Sequence, residues 1–271
     1  MAKDLFGAMQ AASDRPSRSI GTYARGCGDG FAQLPETGPT WQAMRLSRNR
    51  NWGHPELVDF LEDLSVRATE IGWPGIYVGD MSQPRGGPMT SGHASHQIGL
   101  DADIWLLKPK RLDLSRGERE EIGSPSVRTA DQKNVTSGWT PAHAALLKAA
   151  ALDPRVDRIF ITPPAKIAMC KTATAADKKW LQKIRPLYGH DSHFHVRLKC
   201  PQGSSSCQTQ KPSVNELSNG GDGCDETLNW WVTEYLEELK NPPKKPKGPV
   251  EKTPRQFTMA DLPKTCSAVL Q

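Results

Sequence analysis

The sequence predicts an α+β fold in which a small, mainly antiparallel sheet is backed by helices and connected by long loops. Three observations predict it. Helical periodicity runs through residues 54–72, a strictly alternating segment occupies residues 193–199, and the strands and helices do not follow one another in regular βαβ order.

The first element is HPELVDFLEDLSVRATEIG, where Leu57, Phe60, Leu61 and Leu64 recur at helical spacing. Pro55 suits the first turn and Gly72 the stop. A short strand follows from Gly75 to Gly79, and a Gly/Pro-rich loop carries the chain to a histidine-rich segment at 91–105. Pro141 to Leu152 reads as a second helix, Val156 to Thr162 as a buried strand and Ala175 to Ile184 as a third helix. The segment HDSHFHVRLKC comes next, then a polar, Gly-rich stretch and a last helix from Glu226 to Leu239. The Pro-rich residues from Asn241 onward predict an extended tail, which Cys266 beyond it ties back to the body. The expected organisation is one domain over residues 20–240 and a tail over 241–271, without internal repeats.

A chain of 271 residues with 37% hydrophobic content is long enough to bury a full core. Mean hydropathy is −0.58, and no stretch approaches the roughly 18 apolar residues of a membrane helix. Net charge is +5, but 35 basic residues are interspersed with 30 acidic ones, which argues against nucleic acid as the partner. An anionic cell-wall polymer suits the same charge. The basic run from Lys244 to Lys247 reads as a solvated linker. The first residues, MAKDLFGAMQAASDRPS, hold no apolar core of signal-peptide length, so export is expected to use a leader not present in this chain or another route.

Cys27, Cys170, Cys200, Cys207, Cys224 and Cys266 form an even set without a CxxC pair, which favours disulfides and an oxidising compartment. Cys27 and Cys266 stand near the two termini, and Cys200 and Cys207 enclose a polar loop, both plausible places for staples. Spacing alone leaves the pairing open.

Five of the seven histidines fall in two short segments, SGHASHQIGLDADIW and GHDSHFHVRLKC. As a strand, HFHVRLK turns His193, His195, Arg197 and Lys199 to one face and Phe194, Val196 and Leu198 to the other. The same alternation puts Asp101 and Asp103 together, opposite Ala102, Ile104 and Leu106. Imidazoles and a carboxylate in such a set suit zinc, because three protein ligands leave a fourth position open for hydrolysis. Magnesium or calcium prefers oxygen ligands. No GxSxG elbow, SxxK pair or HExxH helix offers a rival nucleophile or metal motif. His54 and His143, at a helix start and within a helix, read as structural.

GHASHQIGLDADIW, with its spacing of His96 to Asp103, followed by HFH, resembles the LAS metallopeptidases, and within them the penicillin-insensitive murein endopeptidases. GHPELVDF, GDM, RIFI, RPLYGHDSHFHVRLKCP and GDGC extend the likeness over most of residues 20–266. The resemblance implies that His96, Asp103 and His195 bind a catalytic zinc on the sheet. It further implies that His193 acts as general base or transition-state stabiliser and that His190 supports it. His93 matches a histidine that takes part in additional metal binding, and Asp101 a residue that orients a ligand. Asp131 is the nearest match to an acidic ligand of that extra site, but Asn134 stands where its histidine partner belongs. The implied disulfides are Cys27–Cys266, Cys170–Cys224 and Cys200–Cys207.

The activity so implied is hydrolysis of D-alanyl–meso-diaminopimelyl cross-links between peptidoglycan stem peptides, in the periplasm and insensitive to penicillin. Two other readings stay open in the sequence: a D-Ala-D-Ala dipeptidase or carboxypeptidase of the same metal group, and a zinc-containing wall-binding module without catalysis. Oligomeric state and the choice between 3-4 and 3-3 cross-links are not encoded legibly.

Overall fold

The computed structural model describes residues 1–225, 227–242 and 251–271. Its strands in chain order are β1 (Arg18–Thr22), β2 (Arg25–Asp29), β3 (Ala32–Gln33), β4 (Trp41–Ala43), β5 (Trp52–Gly53), β6 (Ile76–Val78), β7 (Asp101–Trp105), β8 (Val156–Ile161), β9 (Ile184–Pro186) and β10 (His193–Leu198). The principal helices are α1 (Ala2–Gly7), α2 (Pro55–Glu70), α3 (Arg116–Glu121), α4 (Pro141–Leu152) and α5 (Pro163–Cys170). The fold is α+β. Its main sheet has the order β4-β6-β7-β10-β8-β9, with β1-β2 and β3-β5 as two small antiparallel pairs beside it. The three central pairings are antiparallel, whereas β4 runs parallel to β6 and β9 parallel to β8, so the main sheet is mixed.

Helices α2 and α4 back this sheet because their apolar residues fall on one side. Leu57, Phe60, Leu61 and Leu64 of α2 and Leu146, Leu147 and Ala150 of α4 meet Ile104, Ile159, Phe194, Val196 and Leu198 in one core, each of them at most 1% exposed. Burial of such side chains stabilises the fold by roughly 1.5–3 kcal/mol apiece. Helix α2 starts where Pro55 occupies its first turn and the His54 ring accepts from the Glu56 amide. It ends before Gly72, whose φ of 81° a side chain resists.

Two expected elements differ, and one helix was not expected. Instead of one helix over 175–184, a 3-10 turn at Ala175–Asp177 leads into Lys178–Leu181, because buried Ile184 is drawn to the sheet edge as part of β9. The expected last helix is two short ones, Thr227–Trp230 and Glu234–Lys240, divided at Thr233 with φ −126° and ψ −96°, and Glu226 lies outside the described residues. Helix α5 has no counterpart in the sequence reading.

The expected tail is in part structured. Its Lys244–Lys247 run lies outside the described residues, while Phe257, Leu262 and Val269 pack with Ala2, Phe6 and Ile20 around the Cys27–Cys266 disulfide. The other bridges are Cys170–Cys224 and Cys200–Cys207, so all three pairs are those the resemblance implies. Among the described residues no helix is long and apolar enough to cross a membrane.

Candidate metal centre

Strands β7 and β10 lie side by side in antiparallel register, which sets His193 opposite Trp105, His195 opposite Asp103, and Arg197 opposite Asp101. Alternation then turns all six toward the face away from α2 and α4, while Ala102, Ile104, Phe194, Val196 and Leu198 fill the core. Residues 79–99 cross above this face. The loop is held there by backbone hydrogen bonds from Gly79 to Asp103 and from Asp103 to Asp80. It delivers His96, whose φ of 67° is an unusual left-handed conformation for a residue with a side chain. Gly99 allows the chain to return to β7, since a Cβ there would sit 2.5 Å from the Phe31 ring.

Three donor atoms converge. His96 Nε2 lies 3.2 Å from His195 Nδ1, His96 Nε2 lies 3.5 Å from Asp103 Oδ1, and His195 Nδ1 lies 3.4 Å from Asp103 Oδ1. Adjacent donors of a tetrahedral ion bound at about 2.0–2.1 Å are about 3.3 Å apart, so this triangle has the size of one face of such a site. Asp103 Oδ1 is also buried without a hydrogen-bond partner. A carboxylate oxygen left so is costly in isolation and is satisfied by a cation.

Two overlapping groups of three also bring their ligand atoms within 4.8 Å of one another, His93 with His96 and Asp103, and His96 with Asp101 and His195. Asp101 is already committed elsewhere. Its two oxygens each accept a 2.8 Å hydrogen bond from Arg197, and Oδ2 also accepts from the His96 amide at 3.1 Å. Its Oδ1 stands 3.3 Å from His195 Nε2, which fixes that ring with Nδ1 toward the triangle. His93 Nε2 stands 3.0 Å from Asp80 Oδ2 and 3.5 Å from Asp103 Oδ2, on the outer side of the triangle.

The charges follow from this packing. Burial favours protonated Asp101, but Arg197 and His195 outweigh it and hold the carboxyl well below its ordinary range. Asp103 is likewise lowered, since His193, His96 and His93 prevail over burial. His195 is raised, because Asp101 and Asp103 together overcome the burial that would lower it. His193 is lowered by burial despite Asp103 nearby. His190 is pushed down to about 4 by burial and by His195 and His193.

A cleft of about 290 Å³ opens beside the triangle, lined among others by Arg45, Arg48, Asp80, Trp105 and His193. His193 Nε2 faces Asp103 Oδ2 at 3.5 Å, and the His190 ring lies 5.2 Å from that of His193. Asp131 is elsewhere: it is exposed and accepts from Thr129 Oγ1 and the Lys133 amide in its own turn. His143 accepts at the start of α4 from the Thr140 amide, touches the Leu106 carbonyl and packs against Trp73 and Trp139.

Residues 19–271 match the family model described as penicillin-insensitive murein endopeptidase. The chain belongs to that family. Relatives bearing the same description include one from Haemophilus influenzae, 44% identical over 218 residues that cover 80% of this chain and 74% of the relative. Another, from Klebsiella pneumoniae, is 38% identical over 94% of this chain and 86% of its own. A third, from Pectobacterium atrosepticum, is 38% identical over 93% and 84% respectively. The sequence reading of this penicillin-insensitive murein endopeptidase family member missed Asp80, whose Oδ2 accepts from Arg48 at 3.0 Å and Arg50 at 2.9 Å. Its only signal is the GDM segment quoted for the resemblance. Trp105 was within reach, as the same alternation that pairs Asp101 with Asp103 carries on to it.

Proposed function

We propose that the protein is a zinc-dependent murein endopeptidase of the periplasm that hydrolyses D-alanyl–meso-diaminopimelyl cross-links in peptidoglycan. The observation that carries this reading is the triangle of His96 Nε2, Asp103 Oδ1 and His195 Nδ1, with sides of 3.2–3.5 Å, at the edge of a cleft in a chain of this family. In this reading His96, Asp103 and His195 hold the zinc. When bound, zinc supplies a Lewis acid that polarises the scissile carbonyl and makes water acidic enough to act as nucleophile near neutral pH.

The chain's own residues do the rest. Asp101, neutralised by Arg197, fixes the His195 ring, while His93 spans Asp80 and Asp103 and steadies the latter. His193 borders the cleft as an imidazole that burial keeps neutral, so it accepts a proton from the attacking water and returns it to the leaving amine. His190, pushed down to about 4 chiefly by burial, packs beside it as a second neutral imidazole. Asp131 has no part in this set, since its carboxylate closes its own turn.

Metal analysis followed by digestion of purified sacculi tests the reading. Zinc at one equivalent and loss of cross-linked dimers in the muropeptide profile are expected, with His195→Ala losing both metal and activity. Loss of terminal alanine in place of dimers would overturn the endopeptidase assignment, and an active metal-free His195→Ala protein would overturn the ligand set.

A further inference from the structure

One aromatic cluster takes no part in the hydrolytic site. Ring centroids of Tyr188 and Tyr235 lie 5.9 Å apart, those of Tyr235 lie 4.9 Å from both Trp230 and Trp231, and the two indoles are 5.2 Å apart. Tyr188 is 39% and Trp230 37% exposed, and Trp231 and Tyr235 are half-buried. Tyr23 and Tyr77, in contrast, are core residues that donate their hydroxyls to the carbonyls of Leu198 and Arg111. The Tyr188 and Tyr235 hydroxyls and the indole N–H groups of Trp230 and Trp231 have no such partners among the described residues. These rings therefore present both apolar faces and unused polar tips at the surface.

Their position ties them to the cleft. Tyr188 precedes His190 by two residues, its carbonyl lies 3.2 Å from His190 Nδ1, and His190 in turn packs against His193. The segment bearing the other three rings is anchored just ahead of them by the Cys170–Cys224 disulfide and by Lys166, whose Nζ donates to the Asp222 carbonyl. Arg128 lies 4.9 Å over Tyr188, with Asp191 3.6 Å from its guanidinium, so this cation has its counter-ion beside it.

We infer that Tyr188, Trp230, Trp231 and Tyr235 form a saccharide-stacking platform that holds an N-acetylhexosamine unit of a glycan strand beside the cleft. A pyranose ring presents a sheet of C–H bonds on one face and hydroxyl and acetamido groups around its rim, which matches π-faces that carry N–H and O–H groups at their edges. The rings meet at 43–77°, so they pack edge-to-face or tilted as one cluster whose more exposed members, Tyr188 and Trp230, offer ring surface to a flat ligand. The inference rests on the murein reading, because a stem-peptide cross-link carries glycan strands with it.

Chitotetraose, a neutral N-acetylglucosamine oligomer without peptide, tests the platform apart from hydrolysis. Titration of the wild-type protein is expected to give a saturable change in tryptophan fluorescence. Affinity is expected to fall by about tenfold in Trp230→Ala and Tyr235→Ala and to persist in Trp230→Phe. Near-UV circular dichroism of each variant establishes that it is folded. Trp230→Ala is also expected to lose more rate on intact sacculi than on cross-linked peptide freed of glycan. Absence of binding by the wild-type protein, equal affinity in all variants, or a dimer that Trp230→Ala dissociates would each overturn the platform. Binding of chitotetraose without cleavage of sacculi would sink the hydrolytic reading alone, and cleavage without binding the platform alone.

Discussion

Arg197 grips Asp101 through two hydrogen bonds of 2.8 Å, Nε to Oδ1 and Nη2 to Oδ2, with both side chains buried. The same Oδ1 stands 3.3 Å from His195 Nε2, so the guanidinium sets the orientation of an imidazole it does not touch through hydrogen bonds of its own. Arg197→Gln leaves a buried carboxylate without its countercharge. The expected result is a loss of roughly 3–5 kcal/mol in stability and about 10–100-fold in zinc affinity. Urea unfolding and competition with a chelator measure the two, and zinc affinity equal to wild type would confine the pair to a structural role.

His193→Ala separates the helper from the ligands. Because His193 is outside the donor triangle, this variant is expected to keep its zinc while hydrolysis of cross-linked muropeptide falls by roughly 10²–10⁴-fold. Zinc content and turnover on the same preparation decide it. Loss of metal in proportion to activity would move His193 into the ligand set.

Lys166 gives the fold a pH dependence far from the histidines. Its fully buried ammonium donates to the carbonyls of Leu181 and Asp222, and burial, with Arg185 adding, pushes its pKa from 10.5 down to about 7. Between those values the unfolded chain binds more protons than the folded one, so stability rises with pH. This contribution is complete above the unfolded pKa and is lost as pH falls through about 7. Lys166→Met is expected to flatten the rise and, by stranding two carbonyls, to cost ~1–3 kcal/mol where the amine is neutral. Urea midpoints across this range are the measurement, and an unaltered slope would exclude Lys166 as its source.

The Cys27–Cys266 bridge spans 239 residues of sequence and holds the small cluster of Phe257, Leu262 and Val269 against Ala2 and Phe6. Replacing both cysteines with serine is expected to lower stability by roughly 2–5 kcal/mol. It should also expose residues 251–271 to limited proteolysis before the main sheet unfolds. Simultaneous cleavage of both regions would mean that the cluster does not open separately.

Legibility in the sequence followed the range of the interactions. Helices α2 and α4 and the two working strands are written in periodicity, since Leu57, Phe60, Leu61 and Leu64, or the alternation through His193 and His195, need only local spacing. The two-residue-register pairing of Arg197 with Asp101 also follows from alternation, but only once β7 and β10 are known to be neighbours. Helix α5 escaped because PPAKIAMC opens on two prolines and carries too little periodic signal. The pairing of β9 with β8 escaped because three residues, Ile184 to Pro186, hold no alternation to read. Asp80 was missed for another reason: its partners Arg48 and Arg50 come from one distant stretch and His93 from another, and nothing in a Gly-Asp-Met triplet announces them.

The register of β7 against β10 joins His195 to Asp103, Arg197 to Asp101 and His193 to Trp105 in a single ladder. A slip of one residue in either strand would turn the whole set toward the core. The ladder is thus all-or-nothing: insertions and deletions are barred from these two short segments but tolerated in the loop between α3 and α4, which supplies Gly123 and Ser124 to the cleft wall. The two strands behave as a cassette of fixed chemistry, and the loop after α3 is where substrate preference can drift without disturbing it.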